Sequence, residues 1–514
     1  MTATDERTNL DTALTQAREH YVGQRPIGAA MHADASEVMP GGNTRTVLYH
    51  PPFPLRIARG AAQRVVDVDG HEYVDMLGEY TAGLYGHSQQ PILDAVRAAL
   101  DDGISLAGHN VYEARLAREL VDRFPALELV RFTNSGTEAN LMAISLARVV
   151  TGRPGIAVAR GGFHGGLLYF GGGGSPVNAP YEAVVFDYND VEGARAAIRE
   201  NADRLAAVVV EPVLGSGGVI PATPAFLAAL REESQAHGVL LILDEVMTSR
   251  LSPQGAAPLF GVQPDLITLG KYLGGGLSFG AFGGRADLMA HFDPSQPGAL
   301  PHAGTFNNNV LSMAAGLAGL TQVLDDERLH ALNARGDRLR DALNAVMAPH
   351  GWTATGMGSM VGFHPVPGPV RSPADLATAD DRQRELLFLA LLERGFYAAS
   401  RGFIALSIEV TDDDVDGFVA AVAEVLGLGS DQSIGSSPSS SSKALARLKG
   451  RDPKNPRSAD IGLGCALTTV GVSSSRGSSD WASRPHRIAT RGASGRWTRP
   501  RMAHSVKASQ PLPR

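Results

Sequence analysis

The chain is poor in residues that staple, anchor or span. Among its 514 residues there is one cysteine, Cys465, and there are three tryptophans. A single thiol excludes an intramolecular disulfide framework and a multi-cysteine zinc site. No apolar run is long enough to cross a bilayer, and the opening Met1-Thr-Ala-Thr-Asp-Glu-Arg7 lacks a basic stretch followed by an apolar one. No signal peptide is therefore expected, and a cytoplasmic location is the default expectation. A strong excess of one charge sign is also missing. Charged residues make up 19% and the net charge is −7, which gives the whole chain no reason to seek nucleic acid or a membrane. The 44% of hydrophobic residues suffices for two or three domains with large cores.

The charge is unevenly spread. From Asp431 to Arg514 there are 15 basic and 4 acidic side chains, a net +11 that leaves −18 for the remainder. This stretch opens with Gly435-Ser-Ser-Pro-Ser-Ser-Ser-Ser442 and has no sustained apolar periodicity. Residues 429–514 are expected to be a disordered, solvated basic tail. No aromatic-basic alternation in it supports a nucleic-acid role.

The body alternates between two periods. Apolar strand patterns fall at 129–133, 155–159, 183–186, 206–210, 239–243 and 266–269, with helical patterns at 92–100, 116–124, 138–150 and 224–237. Such alternation predicts an α/β fold with a mostly parallel sheet covered by helices on both faces. From about Asp326 the pattern changes. Helices at 328–347, 380–394 and 412–426 flank short strands near Phe396 and over 403–408, an α+β unit.

Two strand ends carry chemistry. Asp265-Leu-Ile-Thr-Leu-Gly-Lys271 closes an apolar run with a lysine, and Val239-Leu-Leu-Ile-Leu-Asp244-Glu-Val246 closes another with a carboxylate. Together they suit pyridoxal 5'-phosphate (PLP). The lysine can form an imine with the cofactor aldehyde, and the aspartate can hold the pyridine nitrogen protonated. A Walker reading of the same pair fails because position 265 is Asp and position 272 is Tyr, so the phosphate loop is absent. A serine-hydrolase reading rests on Gly276-Leu-Ser278-Phe-Gly280. It needs a helix after Ser278, and Gly-Ala-Phe-Gly-Gly is a poor helix start. Ser135-Gly136-Thr137 lies between a strand and a helix N-terminus, where backbone N–H groups, hydroxyls and the helix dipole suit a phosphate. Phe163 is placed to stack on the pyridine ring and Val246 to pack on its other face.

These motifs resemble the class III, fold-type I PLP-dependent aminotransferases, in the glutamate-1-semialdehyde aminomutase-like branch. The resemblance covers about Ala35 to Gly427 and rests on Met39-Pro-Gly-Gly42, Asp67-Val-Asp69-Gly70, Asn134-Ser-Gly-Thr-Glu-Ala-Asn140, Phe163-His-Gly165, Glu211-Pro212, Asp244-Glu-Val246, Gly270-Lys271 and Gly304-Thr305. Glu79-Tyr-Thr-Ala-Gly83, Asp244-Glu-Val-Met-Thr-Ser-Arg250 and Gly304-Thr-Phe-Asn-Asn-Asn309 resemble the β-phenylalanine and related β-amino-acid enzymes. The likeness implies an N-terminal segment over 1–70, a large PLP-binding domain over 71–325 and a small domain over 326–428. Lys271 and Asp244 would be catalytic. Ser135, Gly136 and Thr137 would bind the phosphate, joined by Thr305 from a second subunit, which implies a homodimer. Arg45 and Arg401 would bind substrate carboxylates. Phe163 stands where a tyrosine is often found.

The aminomutase pattern itself is broken. Where that branch shows Asn-Ser-Pro-Val-Arg, Gly-Asn-Met-Gly and Gly-Asn-Pro, this chain has Asn43-Thr-Arg45, Gly215-Ser-Gly-Gly218 and Asn308-Asn-Val310. The resemblance implies transfer of an amino group from an amino acid, a β-amino acid such as β-phenylalanine, to a keto acid, with glutamate-1-semialdehyde 2,1-aminomutase activity the alternative. Neither the amino donor nor the acceptor follows from the sequence.

Overall fold

The alternating segments between residues 129 and 284 build one seven-stranded sheet. In this computed structural model, which describes residues 3–428, the spatial order is Leu129–Thr133, Gly280–Gly284, Leu266–Gly270, Leu240–Asp244, Leu205–Val210, Gly155–Ala159 and Glu182–Phe186. Gly280–Gly284 runs antiparallel to both of its neighbours, whereas the remaining pairings are parallel. The fold is α/β, as the alternation predicts. The expected basic tail lies outside the described residues.

The central strand shows why the apolar runs are continuous. Leu240 and Ile242 join a core with Ala139, Ala143 and Ile144 of the helix Gly136–Thr151. Leu241 and Leu243 face the other way, into a core with Phe226, Leu227 and Leu230 of the helix Pro224–Ala236. A strand buried on both faces carries no polar alternation. By the same period of two, Asp244 follows Leu240 and Ile242 onto the face of the helix Gly136–Thr151. Parallel pairing places Asp244 level with Thr268 on the strand that leads to Lys271.

The antiparallel strand Gly280–Gly284 escapes apolar-pattern reading because glycine fills three of its five positions. The structure explains the composition. A Cβ on Gly280 would come within 2.2 Å of the Ser135 carbonyl oxygen, and one on Gly283 within 2.2 Å of the Leu129 carbonyl oxygen. A bare backbone lets this strand slot in beside Ser135.

The smaller part draws on both ends of the described chain. Ile57–Ala61, Arg64–Asp67 and Glu72–Asp75 form a sheet completed by Phe396–Tyr397. Helices Ala3–Gln24 and Pro26–Val38, which the sequence reading did not assign, precede that sheet. Leu14 and Tyr21 pack with Phe388, Leu389 and Leu392 of the helix Asp381–Leu392. Arg25, only 2% exposed, donates to Glu393 at 3.1 Å and to the Tyr73 hydroxyl at 3.0 Å, with its guanidinium 4.3 Å from the Tyr21 ring centre. A second sheet, Thr353–Met357, Met360–His364 and Phe403–Ala405, carries the helix Asp326–Met347, on which the helix Asp412–Leu428 packs. No helix among the described residues is long and apolar enough to cross a membrane.

Replacing Gly280 by alanine forces Ser135 or the strand to move. The expected cost is about 1–3 kcal/mol, read from the denaturant midpoint. An unchanged midpoint would show that the strand is not closely seated.

Candidate active site

A buried carboxylate has to be fully hydrogen-bonded or it loses its charge. Asp244 is 4% exposed and is held from three directions. Asn140 Nδ2 donates to its Oδ2 at 2.9 Å, His164 Nδ1 meets the same oxygen at 2.8 Å, and the Val246 N–H donates to Oδ1 at 3.0 Å. Asn140 is itself oriented, because its Oδ1 accepts from Thr268 Oγ1 at 3.0 Å. The His164 pKa is raised. Burial pulls it down, but the Asp244 hydrogen bond and charge, with Glu211 beyond them, outweigh burial.

Lys271 leaves its strand in the left-handed region, at φ +58, a conformation that costs a non-glycine residue about 1–2 kcal/mol. The turn lifts its side chain out of the sheet's register. Burial lowers its pKa to about 8. Arg45 pushes the same way, Glu79 and Asp244 oppose, and Arg401 adds a further downward push. Those four charged residues are thus gathered around one amine.

Ser135 caps the sixteen-residue helix Gly136–Thr151, its hydroxyl accepting from the Glu138 N–H at 3.2 Å. Thr137 Oγ1 accepts from the Gly166 N–H at 3.3 Å, which seats the loop carrying Phe163 and His164 over the helix start. A Cβ on Gly136 would come within 2.8 Å of both Val246 methyls, so the cradle and Val246 touch. Phe163 is 41% exposed and its ring lies 5.9 Å from that of Tyr169. Thr305 is exposed on this chain, and the neighbouring Phe306 is 62% exposed. Ser278 is exposed and leads into the strand Gly280–Gly284 rather than into a helix, so the hydrolase elbow is not formed.

Both substrate-arginine candidates meet one unusual turn. Gly78, Glu79, Tyr80 and Thr81 have φ of 54, 48, 51 and 80, four successive left-handed residues. Asp75 caps the entry, its Oδ1 accepting from Leu77 and Gly78 N–H at 2.9 and 3.0 Å. Arg250, fully buried, reaches the exit by donating to the Thr81 carbonyl at 3.5 Å, and it also donates to the Leu406 carbonyl. Glu79 forms an ion pair with Arg45. Tyr80 lies beneath the Arg401 guanidinium, 4.9 Å from ring centre to Cζ. Such concentrated strain is typical of functional sites.

Arg401 also donates to Ser216 Oγ at 3.3 Å. It lines a cavity of about 470 Å³ whose walls include Tyr169, Val219, Leu376 and Phe403. Two further arginines border this cavity, but each has a carboxylate partner, Arg160 with Asp187 and Arg384 with Asp381. No ion pair is formed by Arg401 among the described residues, and no cluster there could hold a metal ion.

Residues 47–419 match the profile of aminotransferase class-III. The chain belongs to the class-III aminotransferases. It is 51% identical over 420 residues to the β-phenylalanine transaminase of Variovorax paradoxus, covering 81% of this chain and 96% of that one. The crystal structure of a β-phenylalanine aminotransferase from that organism aligns with a TM-score of 0.80, at 51% identity over 81% of this chain and 97% of the other. A glutamate-1-semialdehyde 2,1-aminomutase of Thermus thermophilus is 38% identical over 429 residues, 78% of this chain and 100% of its own. A solved transaminase with PLP bound aligns at TM-score 0.72, 34% identical, over 78% of this chain and 97% of its own.

This class-III aminotransferase is PLP-dependent, and its residues fit that cofactor. The helix start at Ser135–Thr137 offers N–H groups to a phosphate. A Cβ on Gly136 would run into the Val246 methyls, so only a bare backbone fits at this point of the helix start. In the sequence, His164, Asn140, Glu211 and Glu79 are visible only as motif letters. Burial marks the first three, because a buried polar side chain has to find partners; Glu79 is exposed and carries no such signal.

In the cofactor-free protein the Lys271 amine is expected to titrate near pH 8. Acetylation by a limiting amine reagent, followed on the Lys271 peptide by mass spectrometry, should rise through that pH. Glu79→Gln removes a charge that favours the ammonium form, so it should move the midpoint down. Arg45→Ala should move it up. A midpoint near 10.5 would show that burial and its neighbours do not act on this amine.

Proposed function

We propose that this aminotransferase moves the amino group of a β-amino acid of the β-phenylalanine type to a keto acid. One observation carries the reading. Of the three arginines around the 470 Å³ cavity, Arg401 alone lacks a carboxylate partner among the described residues, and Tyr169, Val219, Leu376 and Phe403 share its walls. That arrangement suits one carboxylate on an otherwise apolar body, because a guanidinium pairs a carboxylate bidentately. Arg45, held by Glu79, is the second carboxylate position and suits a keto acid with a second acidic group. The 51% identity to the β-phenylalanine transaminase supports the same substrate class.

When bound, PLP supplies an electron sink next to the carbon that bears the amine. Asp244 keeps a proton on the ring nitrogen, and the bonds from Asn140, His164 and Val246 hold its carboxylate in place. Lys271 carries the proton to and from the reacting carbon. Its depressed pKa, about 8, brings the neutral amine within reach near neutral pH. Phe163 and Val246 confine the ring, and Ser135, Gly136 and Thr137 hold the phosphate. Exposed Thr305 and Phe306 belong to a face that a second copy of the chain covers. The working form is a homodimer with a phosphate contact from Thr305 of each subunit to the other's site, and it acts in the cytoplasm.

Lys271→Ala should abolish turnover. Arg401→Ala should raise KM for 3-amino-3-phenylpropanoate about 30- to 100-fold, the equivalent of about 2–3 kcal/mol for a charge-assisted bond. The reaction should require an added keto acid such as 2-oxoglutarate or pyruvate. Efficient isomerisation of glutamate-1-semialdehyde without any acceptor, with β-amino acids inert, would assign the aminomutase activity instead. Sedimentation of the purified protein should give a dimer, and Thr305→Ala should weaken PLP retention.

A further inference from the structure

Glu211 is 4% exposed and sits behind the site rather than in it. Its two oxygens are divided between two loops. Oε1 accepts from the Phe163 N–H at 2.9 Å, and Oε2 accepts from the Gly215 N–H at 3.0 Å. The first loop carries the ring-stacking Phe163 and, one residue on, His164 against Asp244. The second carries Ser216, whose hydroxyl receives Arg401. The main chain at Glu211 is fixed from behind, since the Tyr188 hydroxyl donates to the Glu211 main-chain carbonyl at 2.9 Å. Space around the second loop is tight. A Cβ on Gly215 would lie 2.6 Å from Met247 Sδ and 3.3 Å from Glu211 Oε2, so the bare backbone of this loop packs close against both.

We propose that Glu211 is a positioning residue that spans the cofactor-side loop at Phe163 and the substrate-side loop at Ser216, fixing the distance from the ring to the Arg401 carboxylate subsite. A β-amino acid places its carboxylate one carbon further from the amine than an α-amino acid does. The separation of these loops therefore decides whether donor amine and donor carboxylate are satisfied together. Only a side chain with two acceptor atoms can serve both N–H groups. Burial raises the Glu211 pKa to about 7, with His164 opposing and Asp244 reinforcing that rise. The two N–H bonds also pull it downward, so both contacts favour the ionised form that has two acceptors.

The proposal rests on Arg401 as the carboxylate site, and its test separates the two. The probe is 3-phenylpropanoate, which has the carboxylate and ring but no amine, titrated calorimetrically into the full-length PLP-loaded enzyme. Glu211→Asp shortens the reach by one methylene, and Glu211→Gln exchanges one acceptor for an amide donor. Each should raise the Kd about tenfold and the donor KM in parallel, while kcat changes by less than about threefold. In an Arg401→Met background the same changes should add less than twofold. Equal effects in both backgrounds, or a fall in kcat at unchanged Kd, would overturn the proposal alone. An unchanged Kd in Arg401→Met by itself would overturn the Arg401 reading and the proposal with it. Should the Glu211 variants fold poorly, Ser216→Ala cuts only the link to Arg401. It should raise the Kd about threefold, and no rise would equally count against the clamp.

Discussion

Everything in this site depends on satisfying one carboxylate inside the protein. Asp244 ends a strand buried on both faces, where an unpaired charge would be costly. The three donors that stabilise it come from the helix Gly136–Thr151, the loop after the strand Gly155–Ala159, and the residue two positions on. The first two segments also carry Ser135–Thr137 and Phe163, the residues proposed for the phosphate and the ring. Satisfying the aspartate therefore positions the rest of the cofactor site.

Electrostatics on the substrate side follow a different logic. There the structure gathers positive groups and neutralises most of them. Arg45, Arg160 and Arg384 each meet a carboxylate, and buried Arg250 is held by carbonyls at Thr81 and Leu406 and by the Ser359 hydroxyl. Arg401 rests instead on the face of Tyr80 and on a serine. In the proposed function, substrate choice rests on which guanidinium lacks an anion. The left-handed turn Gly78–Thr81 sets this, because it presents Glu79 to Arg45 and Tyr80 to Arg401.

The parallel sheet was legible because apolar runs alternated with helical periods, and strand ends pointed to Asp244 and Lys271. The Ser135 cap was legible because a hydroxyl before a helix has a known local role. The glycine strand was not, since its composition answers to the backbone of Leu129 and Ser135, contacts that sequence spacing cannot show. Nor was the strained turn, because Glu79, Tyr80 and Thr81 have no intrinsic preference for positive φ. Helix Ala3–Gln24 is polar over much of its surface and is fixed by distant partners. Arg18 pairs with Glu385 at 2.6 Å, a contact no local pattern announces.

The same long reach governs how the chain can be made. The sheet of Ile57–Ala61, Arg64–Asp67 and Glu72–Asp75 gains its last strand only from Phe396–Tyr397, and Arg25 meets Glu393 across 368 positions. A ribosome releases the first helices hundreds of residues before their partners exist. At about 5–20 residues per second, those partners lag by about 20–70 seconds. During that interval Leu14, Tyr21 and Phe53 lack Phe388, Leu389 and Leu392, the late part of their core. Synthesis thus leaves the few apolar side chains of these N-terminal helices to be kept from wrong contacts until the chain is nearly finished.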